Sequence, residues 1–172
     1  WASRFTNNEK VFGYMPDNFY ANADKTRMGE AILDLEKTVG RALPKLEKPE
    51  NILGMQGQVW SETIRTPTQL EQMIYPRMLL MAERAWHKAS WEGIKPDIAQ
   101  RNHEWVDIAN LLARRELPKL QAQGVQVYLP VPGVQLRAGK AHANTSLPGL
   151  WLSYSTDGEK TWQRYERPVT VT

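Results

Sequence analysis

The tightest cluster of residues with a chemical use is Gly57-Gln58-Val59-Trp60-Ser61-Glu62, which closes a short run of apolar, Gly and Gln residues beginning at Asn51. If that run is a buried strand, Trp60 and Glu62 stand two residues apart on one side of it, with Cα atoms about 7 Å apart. An indole face and a carboxylate then look into one pocket. The pairing suits a sugar: the indole covers the apolar C–H face of a pyranose, and the carboxylate accepts hydrogen bonds from its hydroxyls. The carboxyl ends of strands are where α/β folds, and (β/α)8 barrels above all, place their reactive and binding side chains. The competing reading makes Trp60 a core residue and Glu62 a helix-entry residue favoured by the helix dipole.

Other chemistries find less support. His87, His103 and His142 lack the spacing of metal ligands, and there is no cysteine to supply a thiolate or a disulfide. We expect neither a metal nor a cofactor. Glu83-Arg84 reads as making a buried or half-buried structural ion pair to neighbouring elements, and Trp86, Trp91 and Trp105 as packing residues. Tyr14, Phe19 and Tyr20 lie in a loop, where aromatics more often pack locally.

The elements that must position Trp60 and Glu62 fall into three stretches. Residues 1 to about 49 are punctuated by Pro and Gly, around a predicted helix from Arg27 to Leu46 with Ile32, Leu35, Val39 and Leu43 on one face. After the Asn51 to Trp60 strand, Thr66-Pro67 opens a helical stretch whose apolar side is Leu70, Met73, Ile74, Met78, Met81-Ala82 and Ala85-Trp86, kinked at Pro76. Ala89 to Asn102 reads as a loop, and Glu104 to Gln123 as a helix ended by Gly124. From Val125 the period falls to two, with Val127, Leu129, Leu150, Leu152 and Tyr154 alternating and Asp157-Gly158 marking a hairpin. Five or six short strands are expected, in a small antiparallel module where Trp151 is out of phase with Leu150 and Leu152 and exposed, which suits an interdomain contact more readily than sugar binding.

Composition adds exclusions. The 172 residues carry 22 Lys+Arg against 19 Asp+Glu, a charge of +3 with the basic residues scattered, which argues against a nucleic-acid partner. No apolar run approaches the roughly 18 residues of a membrane span. The sequence opens on Trp1 without a signal-peptide pattern, which suggests a fragment.

The segments Trp1-Ala2-Ser3-Arg4-Phe5-Thr6, Val11-Phe12-Gly13-Tyr14-Met15-Pro16-Asp17-Asn18, Gly57 to Glu62, Tyr75-Pro76-Arg77, Ala82-Glu83-Arg84-Ala85-Trp86 and Tyr154-Ser155-Thr156-Asp157-Gly158 resemble, in this order, the C-terminal part of the bacterial chitobiases, β-N-acetylhexosaminidases of glycoside hydrolase family 20. The resemblance implies an α/β fold: the C-terminal segment of a (β/α)8 TIM barrel over residues 1–88, a linker and connecting helix over 89–123, and an all-β immunoglobulin-like sandwich, truncated, over 124–172. Asn51 to Trp60 would be the eighth barrel strand and Thr68 to about Lys88 the eighth helix. It further implies hydrolysis of terminal β-linked N-acetylglucosamine from chitobiose and related oligosaccharides, with the substrate's own acetamide attacking the anomeric carbon. Trp60 and Glu62 are then substrate-binding residues. The family's Asp-Glu catalytic pair has no counterpart, since no adjacent Asp and Glu occur in these 172 residues, so no catalytic residue is expected in this chain and the chain alone is expected to be inactive. Its expected partners are the N-acetylglucosamine-containing oligosaccharide and the remainder of the barrel, in the bacterial periplasm or cell envelope. The alternative is a non-catalytic module that binds a carbohydrate or another domain.

Overall fold

The computed structural model describes residues 7–26 and 28–171. They form two compact units, one of residues up to 65 together with 77–105, the other of residues 66–76 together with 106 onward.

In the first unit, Asn7 caps helix α1 (Asn8–Phe12) by accepting from the Glu9 and Lys10 amides. This helix packs on α4 (Arg77–Trp86). Phe12, Met15, Leu80, Trp91 and Trp105 make the core there, with the Phe12 ring 5.9 Å from Trp91 and 5.7 Å from Trp105. Trp91 and Trp105 are therefore packing residues, as expected. Trp86 is not: it is 91% exposed. The buried stripe of α4 is Arg77, Leu80 and Arg84, at spacings of three and four, whereas the face read from hydrophobicity leaves Met78, Ala82, Ala85 and Trp86 open to water. Two arginines can occupy a buried stripe because their long stems pack while the guanidinium finds partners.

The helix expected from Arg27 to Leu46 is not formed. Arg27 lies outside the described residues, and a single short helix, α2 (Leu35–Val39), occupies the middle of the range. Asp34 starts it by accepting from the Lys37 amide, and Gly40, at φ +72, ends it in a left-handed turn that a side chain would strain. Upstream, Lys25 and Ala31 pair across a tight reversal in which Thr26 donates its amide to Glu30. Caps and turn residues thus override a weak apolar period. Residues 52–60 carry no ladder partner among the described residues, so the expected barrel strand is not seen as a strand. A strand is defined by its neighbours, and the described residues supply none beside that segment.

In place of one kinked helix, residues 66 to 86 form α3 (Pro67–Ile74), capped by Thr66, and α4, with Tyr75 extended and a cis peptide before Pro76 between them. Proline's missing donor and fixed ring make a full break here.

The second unit is built on α3, the C-terminal part of α5 (Ile98–Leu111), a π-helical turn (Leu112–Glu116) and α6 (Leu117–Ala122). Helix α5 begins earlier than expected, because Asp97 accepts from the Gln100 amide and starts it inside the supposed loop. The alternating run Val125 to Leu129 forms no strand. It is tied to α3 and its end, with the Gln126 amide donating to Glu71 (2.8 Å) and the Tyr128 amide to the Tyr75 carbonyl (3.1 Å).

Strands β1 (Gly133–Arg137), β2 (Lys140–Asn144) and β5 (Val169–Thr170) make a three-stranded antiparallel sheet in the order β1-β2-β5. Strands β3 (Ser153–Tyr154) and β4 (Gln163–Arg164) pair as a separate hairpin, with Ser153 opposite Arg164 and Tyr154 opposite Gln163. Leu147 is fully buried, and Gly149 sits so close to α5 that a Cβ on it would lie 2.8 Å from the Asn110 Cα. The Tyr165 hydroxyl accepts from the Ala143 amide at 2.9 Å.

Candidate functional site

Trp60 and Glu62 lie at the end of the 52–60 segment. Glu62 sits in a turn closed by the Ile64 amide donating to the Ser61 carbonyl (3.0 Å), and Trp60 precedes that turn. Trp60 is 62% exposed and Glu62 is exposed. Among the described residues both therefore stand open to water, an indole and a carboxylate on one short stretch of chain.

A close contact lies a few residues before them in sequence. Gly57 approaches α4 so nearly that a Cβ there would lie 2.6 Å from the Met81 sulfur. Toward its beginning, the same segment borders an open groove of about 590 Å³, walled by Ile52, Gly54, Met55 and Gln56 on one side and Val11, Tyr14 and Pro16 on the other. Trp60 and Glu62 do not line it.

The loop after α1 is fastened at several points. The Asn22 amide bridges both the N–H and the C=O of Met15, each at 2.8 Å. Asn18 donates to the Gly93 carbonyl at 2.7 Å, and Lys88 pairs with Asp17 at 2.7 Å. That hydrogen bond, with the attraction of the Asp17 charge, raises the Lys88 pKa above its ordinary value. Phe19 is 68% exposed and meets Tyr20 edge-on at 5.7 Å, while Tyr14 is half-buried on the groove wall.

Beneath this loop Arg84 pairs with Glu92, donates to the Tyr14 carbonyl (3.5 Å) and stacks 4.8 Å from the Trp91 ring centre. Glu83, its neighbour in sequence, bonds His87 instead, at 2.6 Å. The buried pair expected at Glu83-Arg84 thus exists through Arg84 alone. Glu92 escaped notice because it stands in a Gly- and Pro-marked loop, where no periodicity signals burial.

Among the described residues no group of three or more His, Asp or Glu is placed to hold a metal ion, and no helix is long and apolar enough to cross a membrane.

Residues 5–89 match the glycosyl hydrolase family 20 catalytic domain, and residues 116–172 match the chitobiase/beta-hexosaminidase C-terminal domain. The chain is similar to a beta-hexosaminidase of Vibrio vulnificus, 38% identical over 188 residues, covering 96% of this chain and 21% of that protein. An N,N'-diacetylchitobiase of Vibrio harveyi is 38% identical over 178 residues, 96% of this chain and 19% of that protein. The beta-hexosaminidase B of Pseudoalteromonas piscicida is 42% identical over 94 residues, 54% of this chain and 12% of that protein. The chain spans about one fifth of the length of the first two relatives.

Proposed function

Because the chain belongs to glycoside hydrolase family 20, carrying part of that family's catalytic domain followed by its C-terminal domain, we propose that it serves as the C-terminal part of a β-N-acetylhexosaminidase of the chitobiase type. The whole enzyme releases terminal β-linked N-acetylglucosamine from chitobiose and chitooligosaccharides with retention, the substrate acetamide acting as nucleophile. The observation that carries this reading is the match of nearly the whole chain, 96%, to a diacetylchitobiase at 38% identity.

In this role residues 1–88 contribute the last part of the (β/α)8 barrel, 89–123 connect, and 124–172 belong to an immunoglobulin-like sandwich. Trp60 forms the wall on which the terminal sugar stacks, and Glu62 accepts hydrogen bonds from its hydroxyls. Their work is positioning, holding the ring so that the acetamide lies near the anomeric carbon. The acid that protonates the leaving oxygen comes from elsewhere in the enzyme, since no Asp-Glu pair occurs in this sequence. The unpaired segment 52–60 and the open apolar stripe Met78, Ala82, Ala85 and Trp86 on α4 favour coverage by the remainder of the barrel. Chitin-derived sugars reach such an enzyme in the periplasm or cell envelope.

The test is hydrolysis of a chromogenic N-acetylglucosaminide by the whole enzyme and by the 172-residue chain. Turnover by the first and none by the second is expected. Activity of the chain alone that survives purification to homogeneity would overturn the division of labour, and inactivity of the whole enzyme on every hexosaminide would overturn the function.

A further inference from the structure

We propose that the exposed face of the β3–β4 hairpin is a second carbohydrate site, a docking platform for chitin-type polysaccharide separate from the site of Trp60 and Glu62. The strand register builds it. Ser153 stands opposite Arg164, and the Tyr165 amide donates to the Leu152 carbonyl at 2.8 Å, extending the ladder by one pair. Alternation then puts Trp151, Ser153, Trp162 and Arg164 on one face and Leu152, Tyr154 and Tyr165 on the other. On the second face Leu152, Tyr154 and Tyr165 are half-buried, while Gln163, opposite Tyr154, is exposed. The first face is in water: Trp151 is 68% exposed and Trp162 59%.

Neither indole is buried in the hairpin. Arg164 lies 4.2 Å from the centre of the Trp151 ring, which restricts the indole while most of the residue stays open. Such a held aromatic loses little freedom on binding. Carried on by the same alternation, Trp162 stands four residues further along the hairpin, about 13 Å away in the strand direction at the usual rise. Two indoles at that separation fit an extended oligosaccharide, with Arg164 and Ser153 between them to donate to hydroxyl and acetamide oxygens.

Charge selects the occupant. Arg164 is 3.9 Å from Glu166, so the platform is locally neutral, which suits an uncharged polysaccharide. Nucleic acid or an anionic membrane calls for unpaired cations. The choice of a chitin-type chain over other neutral glycans rests on the hexosaminidase reading above.

The experiment is retention of the full 172-residue chain on insoluble chitin, with cellulose alongside, for the wild type and for W151A, W151F, W162A and W60A, each checked for folding by circular dichroism. Retention on chitin that falls about tenfold in W151A and in W162A, and is kept in W151F and W60A, is expected. Equal retention of wild type, W151A and W162A, or none by a folded wild type, overturns the platform. Loss in W60A alone assigns binding to the other site, which overturns this inference and favours the hexosaminidase reading. Equal retention on cellulose removes the chitin assignment. Self-association abolished by W151A makes a second copy the occupant and also overturns the platform. Hydrolysis assays on the whole enzyme fail or succeed independently of these outcomes.

Discussion

Arg84 and Glu92, eight residues apart in sequence, form an ion pair with almost no access to water: their side chains are 0% and 3% exposed. The same Glu92 oxygen accepts from the Ala89 amide at 2.6 Å, which holds the carboxylate over the start of the loop following α4. The pair thereby joins that helix to the loop carrying Trp91. Its worth lies in what its disruption leaves behind. Removing one partner of a buried pair strands the other charge, at a cost of about 3–5 kcal/mol, whereas removing both is far milder. We therefore expect R84M and E92Q each to lower the urea-unfolding free energy by about that amount, and the R84M/E92Q double variant to cost clearly less than their sum. Strictly additive losses would mean that the two groups do not act as a pair.

Asp157 provides a pH-dependent element in the other unit. The Thr161 amide donates to it at 3.0 Å, the Thr161 hydroxyl at 2.7 Å and the Ser155 hydroxyl at 2.8 Å, and these bonds, the Thr161 amide foremost, lower its pKa from 3.8 to about 2. A carboxyl whose folded pKa is depressed stabilises above its unfolded value and loses that contribution as pH falls through the folded value. The β3–β4 loop should keep its conformation at pH 4 and loosen as the pH drops below 3.8 toward 2. An NMR titration of the Asp157 carboxyl, with the Thr161 amide as reporter, gives the midpoint. A midpoint at the ordinary value would remove the role of these bonds, and D157A should broaden the same amide at neutral pH.

The same two regions show how far the sequence could be read. Asp157-Gly158 announces its hairpin because the turn is local: Asp supplies the acceptors and Gly158 takes a φ of +67. Trp91 and Trp105 were legible as core because large aromatics are rarely left open when a fold can bury them. The apolar period from Arg27 to Leu46 does not make one helix because it competes with Gly29, Gly40 and Pro44 and with the Asp34 cap, which outweigh a sparse stripe. The burial of Arg77 and Arg84 was illegible for the opposite reason: a buried cation looks like a surface residue until its partner is located, and Glu92 is far from any periodic pattern. Trp60 and Glu62 stand out in the sequence by their types and spacing, and the structure leaves both exposed without assigning them a ligand.

For the whole enzyme, the proposed roles of Trp60 and Glu62 give distinguishable kinetics. Trp60→Ala removes the wall that orients the ring, so KM should rise and kcat fall together, with kcat/KM down on the order of 100-fold. Glu62→Gln keeps the shape and removes the charge. Loss of a charge-assisted hydrogen bond of about 1.5–3 kcal/mol predicts a drop of about 10- to 100-fold in kcat/KM. Steady-state rates on a chromogenic N-acetylglucosaminide decide both. Wild-type kinetics in Trp60→Ala would remove the indole from the sugar site, and in Glu62→Gln would remove the carboxylate from it; the helix-entry reading of Glu62 does not hold, because α3 starts at Pro67 with Thr66 as its cap.

The contact between Gly57 and Met81 supplies a test of how Trp60 is placed. A Cβ at residue 57 would stand 2.6 Å from the Met81 sulfur and 3.1 Å from its terminal methyl, so Gly57→Ala must displace either the thioether or the backbone three residues before Trp60. Methionine is flexible, and part of the strain will be taken up by its rotation. The remainder shifts the segment, and small displacements of a positioning group are costly to rate. We expect G57A to lower kcat/KM of the whole enzyme with little change in unfolding free energy. Shortening the facing side chain removes the obstruction, so M81A introduced into G57A should recover much of the lost kcat/KM, although M81A by itself opens a cavity and destabilises. Recovery in the double variant ties the placement of Trp60 to the packing of α4. An unrecovered loss would make the effect of Gly57 independent of Met81.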